Sequence, residues 1–133
     1  MRMAMDPAQL THEHLAFLTE RHLATLTTIR VDGSPHVVPV GFTYDPDRSV
    51  ARVISFASSR KVANIAINPS GFGAICQVDG GRWLTLEGSC SVSSDPVRVA
   101  EAVAAYAHRY RQPKERADRV VLEISVERVI GRV

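Results

Sequence analysis

One short segment of the chain combines the residue types that bind anions. Ser58 and Ser59 end a strand-like run, Arg60 and Lys61 follow, and a helical pattern begins at the same point. Hydroxyls, two cations and the free N–H groups of a helix start are together what a phosphate requires. The spacing therefore predicts a phosphate-binding turn at residues 58–61. Asn64 lies three residues after Lys61 on the same helical face and is a further candidate to reach the same ligand.

These residues also have a simpler explanation. Serine is a common helix N-cap, so Ser58 or Ser59 alone would account for the start of an ordinary helix. The cations and Asn64 would then point into solvent. The local sequence leaves both interpretations open.

Two single residues elsewhere are candidates for contact with a ligand ring. His36 titrates near neutrality and lies in a strand pattern, where it either touches a ligand or packs at the rim of the fold. Trp83 is the only tryptophan and follows a turn, where its face either covers a ring or packs in a core or subunit interface. Tyr106 and Tyr110 recur on one face of a helical pattern and are predicted to be core residues.

The elements that position these residues alternate between strand and helix patterns. Three helices are predicted: 12–20 after an N-cap at Thr11, 59–67 ended by Asn68-Pro69, and a long one opening at Asp95-Pro96. Six strands are predicted, at 22–30, 35–44, 50–56, 71–78, 81–92 and 119–127. This order predicts an α+β fold, mainly β, in which an antiparallel six-stranded sheet curls into a small barrel.

The second predicted strand contains two prolines, Pro35 and Pro39. Proline has no N–H and cannot donate to a sheet ladder, so this strand is predicted to be an edge, or to be bulged beside something other than a strand. The gap that it leaves is a natural place for a ligand or a second subunit.

Length and composition limit the class of protein. With 133 residues, 45% of them hydrophobic and 23% charged, the chain is predicted to form one soluble domain over residues 1–133. No apolar run approaches the roughly 20 residues of a membrane span and the start lacks the apolar core of a signal peptide, so a cytoplasmic location is expected. The net charge of +2 does not indicate a nucleic-acid or membrane surface.

The sequence lacks the usual marks of a metal site or a nucleophile. Cys76 and Cys90 have neither zinc-site nor redox-motif spacing, so no metal is predicted and both are expected to be reduced core thiols. The short motifs of serine hydrolases, zinc proteases, dinucleotide folds and P-loops do not occur. This pattern is consistent with redox chemistry that a bound cofactor carries.

Several stretches together resemble a known family. A short helix, then LATLTTIRVDGSPHVVPVGFTYDP, a strand leading into SSRKVANI, and GRWLTLEG follow the order of the split β-barrel flavin and deazaflavin proteins related to pyridoxamine 5′-phosphate oxidase. The stretches ERHLATLTT, SPHVV, CQVDGGRWLTLEG and YAHRYR are most similar to the branch that uses the deazaflavin coenzyme F-420, and within it to the biliverdin-reducing members. The resemblance covers nearly the whole chain.

The resemblance implies an oxidoreductase that uses reduced coenzyme F-420 to transfer a hydride to a conjugated acceptor, with biliverdin as the leading substrate. It also implies a homodimer with two cofactor sites at the subunit interface. In such proteins the strand-to-helix turn holds the cofactor phosphate, the broken strand lies along the ring, and the tryptophan comes from the partner chain. The matching positions are the predicted cofactor-binding residues: His36, Pro39, Val40, Gly41, Ser58, Ser59, Arg60, Lys61, Asn64, Arg82 and Trp83.

Two other functions stay open. FMN places a phosphate on a similar turn, which would make the protein an FMN-dependent oxidase or reductase of the same fold. The second is a non-catalytic protein that binds or buffers the cofactor or haem. A basic loop is either solvated or a rim that attracts the glutamate tail of coenzyme F-420. It contains Arg109, Arg111, Lys114, Arg116 and Arg119.

Overall fold

The computed structural model describes residues 4–68 and 71–133. The helices are a 3-10 turn at Pro7–Gln9, α1 at His12–Thr19, α2 at Arg60–Ile67 and α3 at Pro96–Arg109. The strands are β1 Ala24–Ile29, β2 Pro35–Val40, β3 Thr43–Asp45, β4 Val50–Phe56, β5 Phe72–Asp79, β6 Arg82–Ser93 and β7 Arg119–Arg132. The three predicted helices are confirmed to within one residue at each described end. The predicted stop at Pro69 lies outside the described residues.

All the strands pair antiparallel in one seven-stranded sheet, in the order β2-β1-β5-β6-β7-β4-β3. The antiparallel α+β class is therefore as predicted. The two edge strands, β2 and β3, are separated in the chain by only Gly41 and Phe42. Because only two residues separate these edge strands, the sheet has to curl until its two edges lie close together. Among the described residues, no ladder joins the two edges.

The prediction of six strands is wrong because the second one is broken. The main chain of Phe42 bonds to helix α3 and not to a strand: its N–H donates to the Tyr110 hydroxyl at 3.2 Å. Its carbonyl accepts from the Arg109 guanidinium. With both main-chain groups used in this way, Phe42 cannot continue a ladder, and the segment divides into β2 and β3.

The inner face of the curled sheet carries one hydrophobic cluster. It includes Leu26, Ile75, Leu84, Leu86, Leu122 and Ile124 from the strands, with Phe17, Leu18 and Phe42. Cys90 is buried in this cluster as a free thiol, as predicted, whereas the free thiol of Cys76 is only half-buried. Among the described residues, none of the helices combines the length and apolarity that a membrane-spanning helix needs.

A buried carboxylate fixes helix α3 on the sheet. Glu123 of β7 is 5% exposed and lies 3.2 Å from Nε of Arg52 on β4. Arg98 of α3 forms an ion pair with the same carboxylate, and Arg52 also binds Asp45 at 3.2 Å. Two cations thus compensate the buried charge. The network holds α3 over β4 and β7, and α3 in turn holds the break at Phe42.

Candidate functional site

The strand-to-helix turn at residues 57–59 joins β4 to α2. Ser59 is the N-cap of α2 and is buried, its hydroxyl accepting from Val62 N–H at 3.3 Å and from the Ser55 hydroxyl at 3.0 Å. Ser58 is exposed. The turn is therefore an ordinary capped helix start in which Ser59 serves the helix. Ser58 is the hydroxyl that faces solvent.

Two cations follow on the first turn of α2. Arg60 is exposed, and the half-buried Lys61 has its Nζ 5.6 Å from the centroid of the Phe56 ring. Burial lowers the pKa of Lys61. Within residues 4–68 and 71–133, no carboxylate oxygen lies within 4.0 Å of either cation. The first N–H groups of a helix also lack intrahelical acceptors, so this corner has positive charge and free donors.

His36 of β2 lies close enough to the same cations for their charges to affect its pKa. Its pKa is lowered from the usual 6.5, first by burial and then by repulsion from Arg30, Arg60 and Lys61. The Nδ1 atom is buried and has no hydrogen-bond partner. The imidazole is therefore neutral at pH 7 and has one ring nitrogen free to bind a ligand atom. We call Arg30, Arg60 and Lys61, together with the neutral His36, the cation cluster.

Asn64 is neither solvated nor aimed at the cluster. It is 3% exposed, and its amide nitrogen donates to the Thr28 hydroxyl on β1 at 3.0 Å. Thr28 is the residue of β1 that lies opposite His36 in the register. Asn64 thus ties α2 to the part of the sheet that carries His36.

The stretch from His36 to Gly41 follows the free edge of the sheet. β2 is an edge strand, as its prolines predicted. Pro39 is exposed on the outer face, and Val40 is buried on the inner face. A Cβ atom built on Gly41 would lie 3.0 Å from Cε2 of Tyr106 and 3.2 Å from Cε2 of Tyr110. Gly41 therefore allows α3 to approach the end of this stretch closely.

Arg82 and Trp83 lie at the other end of β2 from the cation cluster. The row Leu84, Gln77, Ala24 and Val40 runs across the sheet, and Trp83 is one residue beyond it. Trp83 is half-buried on the outer face opposite the exposed Val78. Within one chain, then, the structure does not bring Trp83 to His36.

Arg82 is already held by acidic groups of its own chain. Its guanidinium bonds both Glu20 oxygens at 2.9 Å and also Asp79. The bond to Arg82 lowers the pKa of Glu20 to about 2. Donor atoms of Glu20, His22 and Asp79 lie within 4.8 Å of one another, a grouping that could hold a metal ion, but Arg82 already supplies a positive charge there.

Arg109 is not part of a solvated loop. The half-buried guanidinium donates to the Glu20 carbonyl at 2.7 Å and 3.0 Å, to the Phe42 carbonyl, and to Gln77 Oε1 at 2.6 Å. The Tyr110 hydroxyl donates to the His22 carbonyl at 2.8 Å. Tyr106 and Tyr110 are half-buried and pack against each other, with ring centroids 4.9 Å apart. Both lie outside the hydrophobic cluster, so the prediction that they are core residues is wrong.

Sequence reasoning missed three residues of this region. Thr28 lies in β1, and Arg30 lies in the turn that follows it. The alternation of β1 predicts that Thr28 points inward, but nothing in the sequence links either residue to the site. Arg30 donates to the Pro35 carbonyl at 2.5 Å, which places it beside the start of β2. The sequence places Arg109 among the cations of a loop, because the groups that accept its hydrogen bonds are distant in sequence and leave no local pattern.

Comparisons with known proteins agree with this fold. The chain is 50% identical to the F-420H2-dependent biliverdin reductase of Mycobacterium tuberculosis over 131 residues, which are 98% of this chain and 94% of that protein. A solved structure of an F-420 reductase is 25% identical with a TM-score of 0.74, covering 91% of this chain and 98% of that one.

A conserved hypothetical protein of Mycobacterium tuberculosis shares the fold. Its TM-score is 0.81 at 20% identity, over 99% of this chain and 89% of the other. The sequence profile described as pyridoxamine 5′-phosphate oxidase matches residues 10–132. This match covers almost all of the chain, from α1 to the end of β7. The chain therefore belongs to the pyridoxamine 5′-phosphate oxidase family.

Proposed function

We propose that this protein is an oxidoreductase that uses reduced coenzyme F-420 to reduce a conjugated acceptor, biliverdin being converted to bilirubin. The observation that carries the proposal is the cation cluster, in a chain half identical to an F-420H2-dependent biliverdin reductase. Arg60 and Lys61 have no carboxylate partner among the described residues, so an anionic ligand would compensate a positive charge that the protein leaves open.

The residues present fit a phosphate-bearing cofactor. Ser58, Arg60 and Lys61 would hold the phosphate, together with the N–H groups at the start of α2. Ser59 and Asn64 would act indirectly, because their side chains cap α2 and anchor it to Thr28. The free Nδ1 of His36 supports this assignment, since in the tautomer that carries the proton on Nδ1 this buried nitrogen gains a hydrogen bond by donating to a phosphate oxygen.

The rest of the cofactor would lie along the free edge of β2. Pro39, Val40 and Gly41 would contact the ring, and Pro39 keeps its part of the edge free of a ladder partner because it has no N–H. When bound, the coenzyme supplies the hydride. The protein would fix the ring against the sheet edge, exclude water from one face and leave the other face open to the acceptor.

We also propose that residues 1–133 form one cofactor-binding domain that assembles as a homodimer. The outer face of β2, β1 and β5 is apolar and uncharged around Val37, Thr27 and Ala74, which lie side by side in the register. Val37 and Val78 are 55% and 59% exposed. Trp83 lies on this face. If two copies pair through it, Trp83 and Arg82 of one copy would lie near the cofactor of the partner. A Val37→Glu variant should elute as a monomer in light-scattering chromatography.

Cofactor choice and turnover test the proposal. Coenzyme F-420 and FMN are each titrated into the cofactor-free protein while fluorescence quenching is followed. The reduced coenzyme is then mixed with biliverdin, and its oxidation is recorded. We expect tighter binding of coenzyme F-420 and acceptor-dependent oxidation. Preference for FMN would support the FMN enzyme, and tight binding without turnover would support a binding protein.

A further inference from the structure

A groove beside helix α3 is separate from the cation cluster. Two adjoining clefts of about 400 and about 420 Å³ share Tyr106 and Arg111. We define this tyrosine groove by six of its residues: Arg21, Leu23, Tyr106, Tyr110, Arg111 and Lys114. Its lining combines two tyrosine rings with three cations: Arg21 lines one cleft, Lys114 lines the other, and Arg111 lines both.

The cations of the tyrosine groove are free to bind an anion. Over the described part of the chain, no carboxylate oxygen lies within 4.0 Å of Arg21, Arg111 or Lys114. The neighbouring Arg116 differs, since its Nε is 2.9 Å from Asp118. Glu115 is the one acidic residue among those that line the two clefts. The groove therefore favours ligands that carry carboxylates.

The floor of the groove favours a flat, conjugated ligand. The tyrosine rings pack at an interplanar angle of 36°, and Leu23 beside them is 64% exposed. Aromatic faces next to an exposed aliphatic side chain suit the stacking of an extended π system. The guanidinium groups of Arg21 and Arg111 suit carboxylates, which guanidinium groups bind in a bidentate manner.

The groove adjoins the stretch that we assign to the cofactor ring. Tyr106 and Tyr110 pack on Gly41, the last residue of that stretch. His36 begins the same stretch, and five residues of extended chain place it about 16 Å away. The cofactor phosphate would thus bind the cation cluster, and a ligand in the groove would bind the groove's own cations. Such a ligand would still lie next to the cofactor ring.

We propose that the tyrosine groove binds the acceptor and selects a conjugated dicarboxylate. This inference rests on the proposed function and names the residues that recognise the substrate. Biliverdin fits the chemistry, since it is a conjugated linear tetrapyrrole with two propionate groups. Its π system lies against Tyr106 and Leu23, one carboxylate binds Arg21 in the first cleft, and the other binds Lys114 in the second cleft, with Arg111 between them.

The test compares acceptor and coenzyme binding in one variant. Arg111→Ala/Lys114→Ala should raise the KM for biliverdin about tenfold or more through loss of charge-assisted contacts, and leave the Kd of coenzyme F-420 unchanged. Biliverdin dimethyl ester, which lacks the charges, should show little difference between variant and wild type. Arg128→Ala is the matched control, because Arg128 lies on β7 and pairs with Glu87 at 2.7 Å.

A binding measurement makes the test independent of turnover. Biliverdin is titrated into the cofactor-free protein and followed by its visible absorption, and the double variant should weaken this binding by a similar factor. An unchanged affinity in the variant would overturn the inference, even if the wild-type protein turns over. A weaker Kd for coenzyme F-420 in the variant would overturn it too, because the cations would then serve the glutamate tail. Absence of turnover in the wild type with normal biliverdin binding would contradict the proposed function alone.

Discussion

Arg109 Nη2 lies 2.6 Å from Oε1 of Gln77, a fully buried residue near the end of β5. The Gln77 amide nitrogen donates in turn to the Phe17 carbonyl at 2.8 Å. The pair therefore joins helix α3, strand β5 and helix α1 in one chain of hydrogen bonds. Because Arg109 also binds Phe42, the same pair fixes the point at which the second strand breaks.

Loss of Arg109 should destabilise the protein. Arg109→Ala removes a donor from the Glu20 and Phe42 carbonyls and from the buried Gln77 oxygen, which we expect to lower the free energy of unfolding by about 2 to 3 kcal/mol. Urea denaturation measures the change. Arg111→Ala is the matched control, since Arg111 is exposed and its removal should change stability by less than about 0.5 kcal/mol. Equal stability of the two variants would contradict the structural role of Arg109.

Substitution of each of the two lysines should affect only one of the two proposed binding sites. Lys61→Ala removes a charge-assisted contact to the cofactor phosphate and should weaken coenzyme F-420 by about 1 to 3 kcal/mol. Lys114, the only other lysine, lies in the tyrosine groove, so Lys114→Ala should leave the coenzyme Kd unchanged. Fluorescence titration of both variants provides the comparison. An unchanged Kd of coenzyme F-420 in Lys61→Ala would contradict the assignment of Lys61 to the cofactor phosphate.

The pKa of His36 should report the charge of the cation cluster. Lys61 is one of the cations that hold this pKa down, so Lys61→Ala should raise it. Inorganic phosphate bound near the cluster should also raise it, because an anion offsets the same repulsion. NMR titration of the imidazole measures both shifts. Lys114→Ala serves as the control and should leave the His36 pKa in place.

The same shift predicts a pH dependence of stability. The pKa of His36 is lower in the folded protein than in the unfolded chain, where it is near 6.5. Between these two values the unfolded state binds more protons, so the contribution of His36 to stability is complete above pH 6.5 and is lost as the pH falls below it. His36→Asn should flatten this part of the stability curve measured by urea denaturation. A steeper curve in the variant would reverse the assigned sign.

Substitution of the neighbouring residues Ser58 and Ser59 should have different effects on stability and on coenzyme binding. Ser59→Ala removes the N-cap of α2 and a partner of Ser55, and should cost about 1 to 2 kcal/mol of stability. Ser58→Ala removes an exposed hydroxyl and should leave thermal unfolding unchanged while weakening the coenzyme. If Ser58→Ala left the coenzyme Kd unaltered, Ser58 would have no part in the site.

Local rules predicted much of the fold correctly. The strand at 50–56 and the Thr11 cap were both found as predicted, because alternation and capping involve residues only a few positions apart. The edge position of β2 followed from two prolines that cannot donate to a ladder. The resemblance to the family could be recognised for a related reason, since it depends on the order of such local stretches.

The sequence by itself determined the order and approximate positions of the strands and helices, where the prolines leave an edge, and that cations gather at the start of α2. Tertiary structure alone decided the break at Phe42, the burial of Arg109 and the encounter of His36 with Lys61. The partners of Arg109 are 32, 67 and 89 residues away in the chain. Bonds over such separations depend on how the sheet curls, and a pattern of neighbouring residues does not contain that information.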